Sequence, residues 1–227
     1  MKFTLFKHYS QMQPIYTNYQ KKEFQYFKDN LIGICNKFRD QNRALAFAFI
    51  LHDFKSPQIK KVLEDQDYWT ALHEISGLYL TVFTFHYKEK PRPKNTGILN
   101  TLISVPIFGP PENEIDNIMI KYFDNKQKIN YPAILFFQVD QSKVIDTMLI
   151  GLKGEHIEIS FLEIKKYFES AVEALSRIDL QNKDNHKEIF DCLELQIRNF
   201  QSMMLIQRMT RKAGNIIGVA SSIQGLF

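Results

Sequence analysis

Between Arg43 and His52 stand eight apolar residues without a break, Ala44-Leu45-Ala46-Phe47-Ala48-Phe49-Ile50-Leu51. Successive residues of a strand point to opposite faces, so a strand formed here has no polar face to turn to water. Strands of this kind sit inside a sheet, among parallel neighbours, with helices over both faces. Leu78 to His86 repeats the pattern, with β-branched and aromatic residues at most positions. Two such segments commit the chain to an α/β fold.

The intervening segments supply the helices. Phe24, Phe27, Leu31, Ile34, Cys35 and Phe38 recur at helical spacing up to about Asp40, and Thr17 with Gln20 has the form of a capping box ahead of them. Ser56-Pro57 is a good helix start. The spacing predicts one helix from there through Ile59, Val62, Leu63, Trp69 and Leu72 to Gly77. Pro110-Pro111-Glu112 opens another, with Ile115, Ile118, Met119 and Tyr122 as its buried stripe. Tyr131-Pro132 opens a strand from Ala133 to Val139, and a turn at Asp140 leads to its hairpin partner, Val144 to Gly151. Glu158 to Ile178 is a helix with Phe161, Leu162, Ile164, Phe168, Val172 and Leu175 inward. Lys2 to His8 alternates as a short strand would. Lys88 to Pro111 holds five prolines and two glycines, yet Ile98 to Phe108 is apolar enough to pack, as an ordered insertion.

After Ile178 the character changes. A polar linker, Asp179 to His186, leads to a helix capped by Asn185 and Glu188. It runs through Leu193, Ile197, Phe200 and Met204 to about Lys212 and is followed by an uncharged, apolar tail, Ala213 to Phe227. The chain thus divides into a domain, 1–178, and a C-terminal helix with tail, 179–227.

The composition is that of an ordinary globular protein, 44% hydrophobic and 24% charged. No stretch of about 18 apolar residues is present, and the first residues lack the apolar core of a signal peptide. The expected location is the cytoplasm, which two cysteines, Cys35 and Cys192, read as buried free thiols, also suit. The net charge of +4 is concentrated in the first 43 residues, with eight Lys/Arg against three Asp/Glu. Lys21, Lys22 and Lys28 interleave there with Tyr19, Phe24, Tyr26 and Phe27. Those aromatics are spaced for one helix face, so core packing is expected and nucleic-acid binding is not.

The order of elements, with parallel strand–helix units first and an antiparallel hairpin last, resembles the thioredoxin-like superfamily over residues 1–178. Two local features share the resemblance. Thioredoxins carry Cys-Gly-Pro-Cys where the first central strand enters its helix; here that junction is His52-Asp53-Phe54-Lys55-Ser56-Pro57-Gln58, and aligning the prolines puts Lys55 and Gln58 in the cysteine slots. Tyr131-Pro132 resembles the cis-proline that faces that junction. The implied fold is α/β, a thioredoxin-like mixed sheet flanked by helices, with a Pro-rich insertion and a C-terminal helical extension. The implied member is redox-inactive: dithiol exchange needs a low-pKa thiolate and a second thiol within reach, and neither slot holds sulfur. A glutathione-transferase reading would call for Glu-Ser soon after the cis-proline, where this chain has Gln138-Val139-Asp140.

The expected function is a non-enzymatic thioredoxin-like module that binds or scaffolds a protein, with no cofactor and no metal. Ser56, Pro57, Tyr131 and Pro132 would form a peptide-contact surface. Met203, Met204, Arg208, Met209 and Arg211 would dock a partner or a second copy, since methionine-rich surfaces adapt to what they meet. Two alternatives stand beside it. His52, Asp53 and His86 gather imidazole and carboxylate at one sheet edge, enough for a hydrolytic or metal-dependent enzyme, although polar strand ends are more often polar because they meet water. The apolar tail would let the chain lie on a membrane surface. His73 is expected to be an ordinary helix histidine, and His8, His156 and His186 show no partner pattern.

Overall fold

A computed structural model describes residues 24–52, 54, 57–87, 102–107, 111–123, 129–153, 156–178 and 184–224. The strand expected at Lys2–His8 and the capping pair Thr17/Gln20 lie outside them. A five-stranded mixed sheet forms the middle layer. Its strands are β1 (Ala46–Leu51), β2 (Leu80–Tyr87), β3 (Leu102–Ile107), β4 (Ala133–Asp140) and β5 (Lys143–Gly151), in the spatial order β3-β2-β1-β4-β5. β1 pairs parallel with β2 and β2 parallel with β3, while β4 runs antiparallel to both β1 and β5. A part of the Pro-rich insertion is therefore in the sheet: Leu102–Ile107 forms an edge strand, and Pro106 is tolerated because an edge position has ladder bonds on one side only.

Helices cover both faces. Helix α1 (24–40) and α4 (Pro111–Phe123) pack on one, burying Phe24, Phe27, Leu31, Cys35, Ile115, Ile118 and Met119. Helices α2 (Pro57–Glu64), α3 (Gln66–Ser76), α5 (Ile157–Ser176) and the start of α6 (His186–Gln224) pack on the other. β1 shows how one sequence serves two layers. Ala46 and Ala48 face the α2/α5 side, and Phe47 and Phe49 face α1. Small residues let helices approach closely on one face, while rings fill the other. Phe49 lies 5.3 Å from the Phe137 ring and 5.4 Å from Phe85, both stacked, and Phe27 meets Phe83 edge-on at 5.4 Å. Such ring pairs add roughly 0.5–1.5 kcal/mol each beyond their burial.

One polar device joins these layers. The guanidinium of Arg39, at the end of α1, donates to Gln138 Oε1 (2.7 Å) and to the Val139 carbonyl (2.8 Å). Gln138 is fully buried at the irregularity between β4 and β5, and its Nε2 donates to the Leu45 carbonyl at 2.9 Å. The pair supplies hydrogen bonds where the ladder is interrupted, as buried polar groups require. Burial pushes the Arg39 pKa below its ordinary value.

Three sequence expectations are corrected. The single helix from Ser56 to Gly77 is two, because Asp65 caps the second: its carboxylate accepts from the backbone N–H of Asp67 (3.0 Å) and Tyr68 (3.4 Å). An aspartate that bonds nearby amides competes with helix continuation. Gly77 does end α3, with φ 55°, a value that favours glycine. Leu162, expected inward on α5, is largely exposed. The final helix continues to Gln224 rather than stopping near Lys212. Its first turns belong to the main core, where Ile189, Phe190, Leu193 and Ile197 are buried among α5 and sheet residues.

Candidate functional site

The strand register brings the junction after β1 and the start of β4 to one end of the sheet. Leu51 pairs with Ala133, so His52 continues past the residue that follows Pro132, and α2 opens at Pro57 from the same end. The Tyr131–Pro132 bond is cis, as the resemblance implied. Pro132 is buried and its carbonyl accepts from the Leu152 N–H at 2.8 Å. Tyr131 is half-buried and Pro57 is exposed. Phe54, between His52 and Pro57 in the chain, has φ 60° and is half-buried. Asp53 and Ser56 lie outside the described residues.

His52 is an internal residue of this end. It is 2% exposed. Its Nε2 lies 3.1 Å from the Phe85 carbonyl, which can only accept, so Nε2 carries a proton. The ring rests against Phe54 with centroids 4.1 Å apart. The imidazole thus ties β1 to β2 instead of presenting that nitrogen outward. Of the trio expected for hydrolytic or metal chemistry, His52 alone has a described side chain. Among the described residues no group of three or more His, Cys, Asp and Glu is placed to hold a metal ion. His186, which showed no partner pattern in sequence, sets Nδ1 3.2 Å from Asp140 Oδ1 and so holds the start of α6 at the β4–β5 turn. Burial pushes the pKa of His73, on α3, below its ordinary value.

The cysteines differ from each other. Cys35 is buried in the α1 face of the core, and burial pushes its thiol well above the ordinary value. Cys192 is exposed, against the expectation that both are buried. Both are free. Cys192 borders a groove of about 440 Å³ between the end of α5 and the start of α6, together with Ala174, Ile178, Ile189 and Leu195.

The second candidate region is α6. Successive helical residues turn by about 100°. Leu193, Ile197 and Phe200 face the domain, and Phe200 meets Tyr167 edge-on at 5.2 Å. Ser202 and Ile206 therefore lie on the opposite side, while Leu195 and Asn199 border the groove beside the end of α5. Leu195 is 62% exposed, Met203 57%, Leu205 55% and Ile206 62%, while Met204 is half-buried. Arg208, Met209 and Arg211 fall on the helical backbone, but their side chains lie outside the description. Leu195 is the residue that motif reading misses: counting two positions on from the buried Leu193 would have found it. On α1, Phe24 and Phe27 are buried as expected, and Tyr26 is exposed.

No helix among the described residues is long and apolar enough to cross a membrane. Comparison of the chain with family models, with curated proteins and with solved structures found no match.

Proposed function

We propose that the chain is a non-enzymatic, thioredoxin-like protein-binding module that docks its partner through α6. The observation that carries this reading is the outer side of α6, where Leu195, Met203, Leu205 and Ile206 stand exposed on a helix whose inner side is core. Scattered apolar residues on a surface need no explanation, but a cluster along one element marks a contact surface. The strand order, two parallel and two antiparallel pairings with helices on both faces, supports the thioredoxin-like part. So does the sheet end at which His52 and the start of α2 come to Pro132, and the sequence there has Lys55 and Gln58 where a redox enzyme has thiols. Pro57 and Tyr131, exposed and half-buried, are left as a minor peptide contact. Two free thiols suit the cytoplasm as the place of action. The burial of His52 works against the enzymatic alternative.

The test is affinity capture from native lysate with wild type and Leu205→Asp side by side. Leu205 is exposed, so the variant should unfold at the same temperature as wild type. A protein set retained by wild type and lost from the variant is the expected result. Identical sets from the two baits overturn the proposal.

A further inference from the structure

We infer that the occupant of the outer side of α6 is α6 of a second copy, running antiparallel. This deepens the docking reading and rests on it. The described residues Cys192, Leu195, Asn199, Ser202 and Ile206 follow the alternating three- and four-residue spacing of a coiled-coil seam. Cys192, Leu195 and Asn199 also line the groove beside the end of α5, and Ser202 and Ile206 stand exposed further along, so the second helix would lie along that groove. A two-fold axis between Asn199 and Ser202 makes the seam its own complement, with each residue meeting its counterpart twice, as a symmetric interface demands. Leu195 then faces Ile206 of the other copy, and Asn199 faces Ser202. Apolar meets apolar, and an amide meets a hydroxyl that can answer its hydrogen bonds.

Charge selects the antiparallel direction. From Lys187 to Arg198, α6 holds three acidic residues (Glu188, Asp191, Glu194) and two basic ones that pair with Asp191 and Glu194 within the helix, a net charge of −1, whereas after Arg198 the chain has only Arg208, Arg211 and Lys212 as charged residues, all basic. In the antiparallel register, residues 188–194 of one helix lie beside 207–213 of the other. Acidic and basic stretches meet at both ends, and the helix dipoles oppose. A parallel pair would set acid against acid and base against base, which is unfavourable. The overlap covers residues 186–215, about 45 Å of helix at 1.5 Å per residue, or some four heptads.

Two measurements on the full chain test this. Light scattering at tens of micromolar should give twice the 26.8 kDa of one chain, falling to the single-chain mass in Ile206→Asp while its far-UV circular dichroism stays that of wild type. For direction, in a Cys192→Ser background, Leu195→Cys chains mixed with Ile206→Cys chains should cross-link on mild oxidation, while neither alone does. A single-chain mass for wild type overturns the inference; if Leu205→Asp still loses captured protein, the docking reading stands without it. Cross-linking of Leu195→Cys with itself overturns the antiparallel arrangement.

Discussion

The sheet end and the last helix both drew attention as functional regions, and the structure treats them in opposite ways. At the sheet end, polar groups are absorbed: the His52 ring is spent on the Phe85 carbonyl and the Pro132 carbonyl on the Leu152 amide. On α6, apolar residues are left out: four large side chains remain more than half exposed on one helix. A polar side chain at a strand end has an ordinary reason to be there. An apolar row facing water costs free energy, about 25 cal/mol for each Å² left exposed, and so it carries the stronger message about binding.

Substitutions at the two regions should therefore separate stability from association. The largest effect belongs to the ring layer beneath the sheet end. Phe49→Ala should cost about 3–5 kcal/mol in urea unfolding, the range for a large core ring, and a loss below 1 kcal/mol would mean that the layer is not packed as described. Gln138→Leu comes next. It removes one acceptor of the buried Arg39 guanidinium and the donor to the Leu45 carbonyl, so roughly 3 kcal/mol is expected. His52→Ala should cost about 1–3 kcal/mol through the unmet Phe85 carbonyl; an unchanged midpoint would return the imidazole to the list of available groups. Ile206→Asp should change mass, and apart from the concentration-dependent stability that the second copy supplies it should stay within about 0.5 kcal/mol, as exposed positions do. The smallest perturbation leaves the chain unmutated: one thiol, Cys192, should react with a disulfide reagent in the folded protein and the second, Cys35, only in denaturant. Fast reaction of both would contradict the burial of Cys35.

The pH dependence adds a sign. Burial holds the His73 pKa below its ordinary value, so below about pH 6.5 the unfolded chain binds more protons at this residue than the folded one. Stability should fall as pH drops through that region and be unaffected above it. Substituting His73 by Gln should flatten the slope in this window, read from urea midpoints between pH 5 and 7.5; an unchanged slope would assign it to other groups.

Much of this was legible in advance. The two-faced segments 44–51 and 78–86 announced buried strands because burial on both sides leaves no room for polar residues. The alternation of Ala and Phe in β1, and the three- and four-residue stripes of α1, α4 and α5, follow from local geometry alone. What sequence decided, then, was the order and type of most elements, the absence of thiols at the junction, and the charge asymmetry of α6. Tertiary structure decided the rest. Leu102–Ile107 became a strand because β2 offered it an edge; the helix after β1 broke at Asp65 because a side chain outbid the backbone; His52 turned inward because the Phe85 carbonyl needed a donor. The two sides of α6 have nearly equal hydrophobicity as written, and only docking of Leu193 and Ile197 against the core left Leu195 and Ile206 outside. Each of these depends on partners distant in the chain, and a periodic pattern carries no record of which distant surface will cover it.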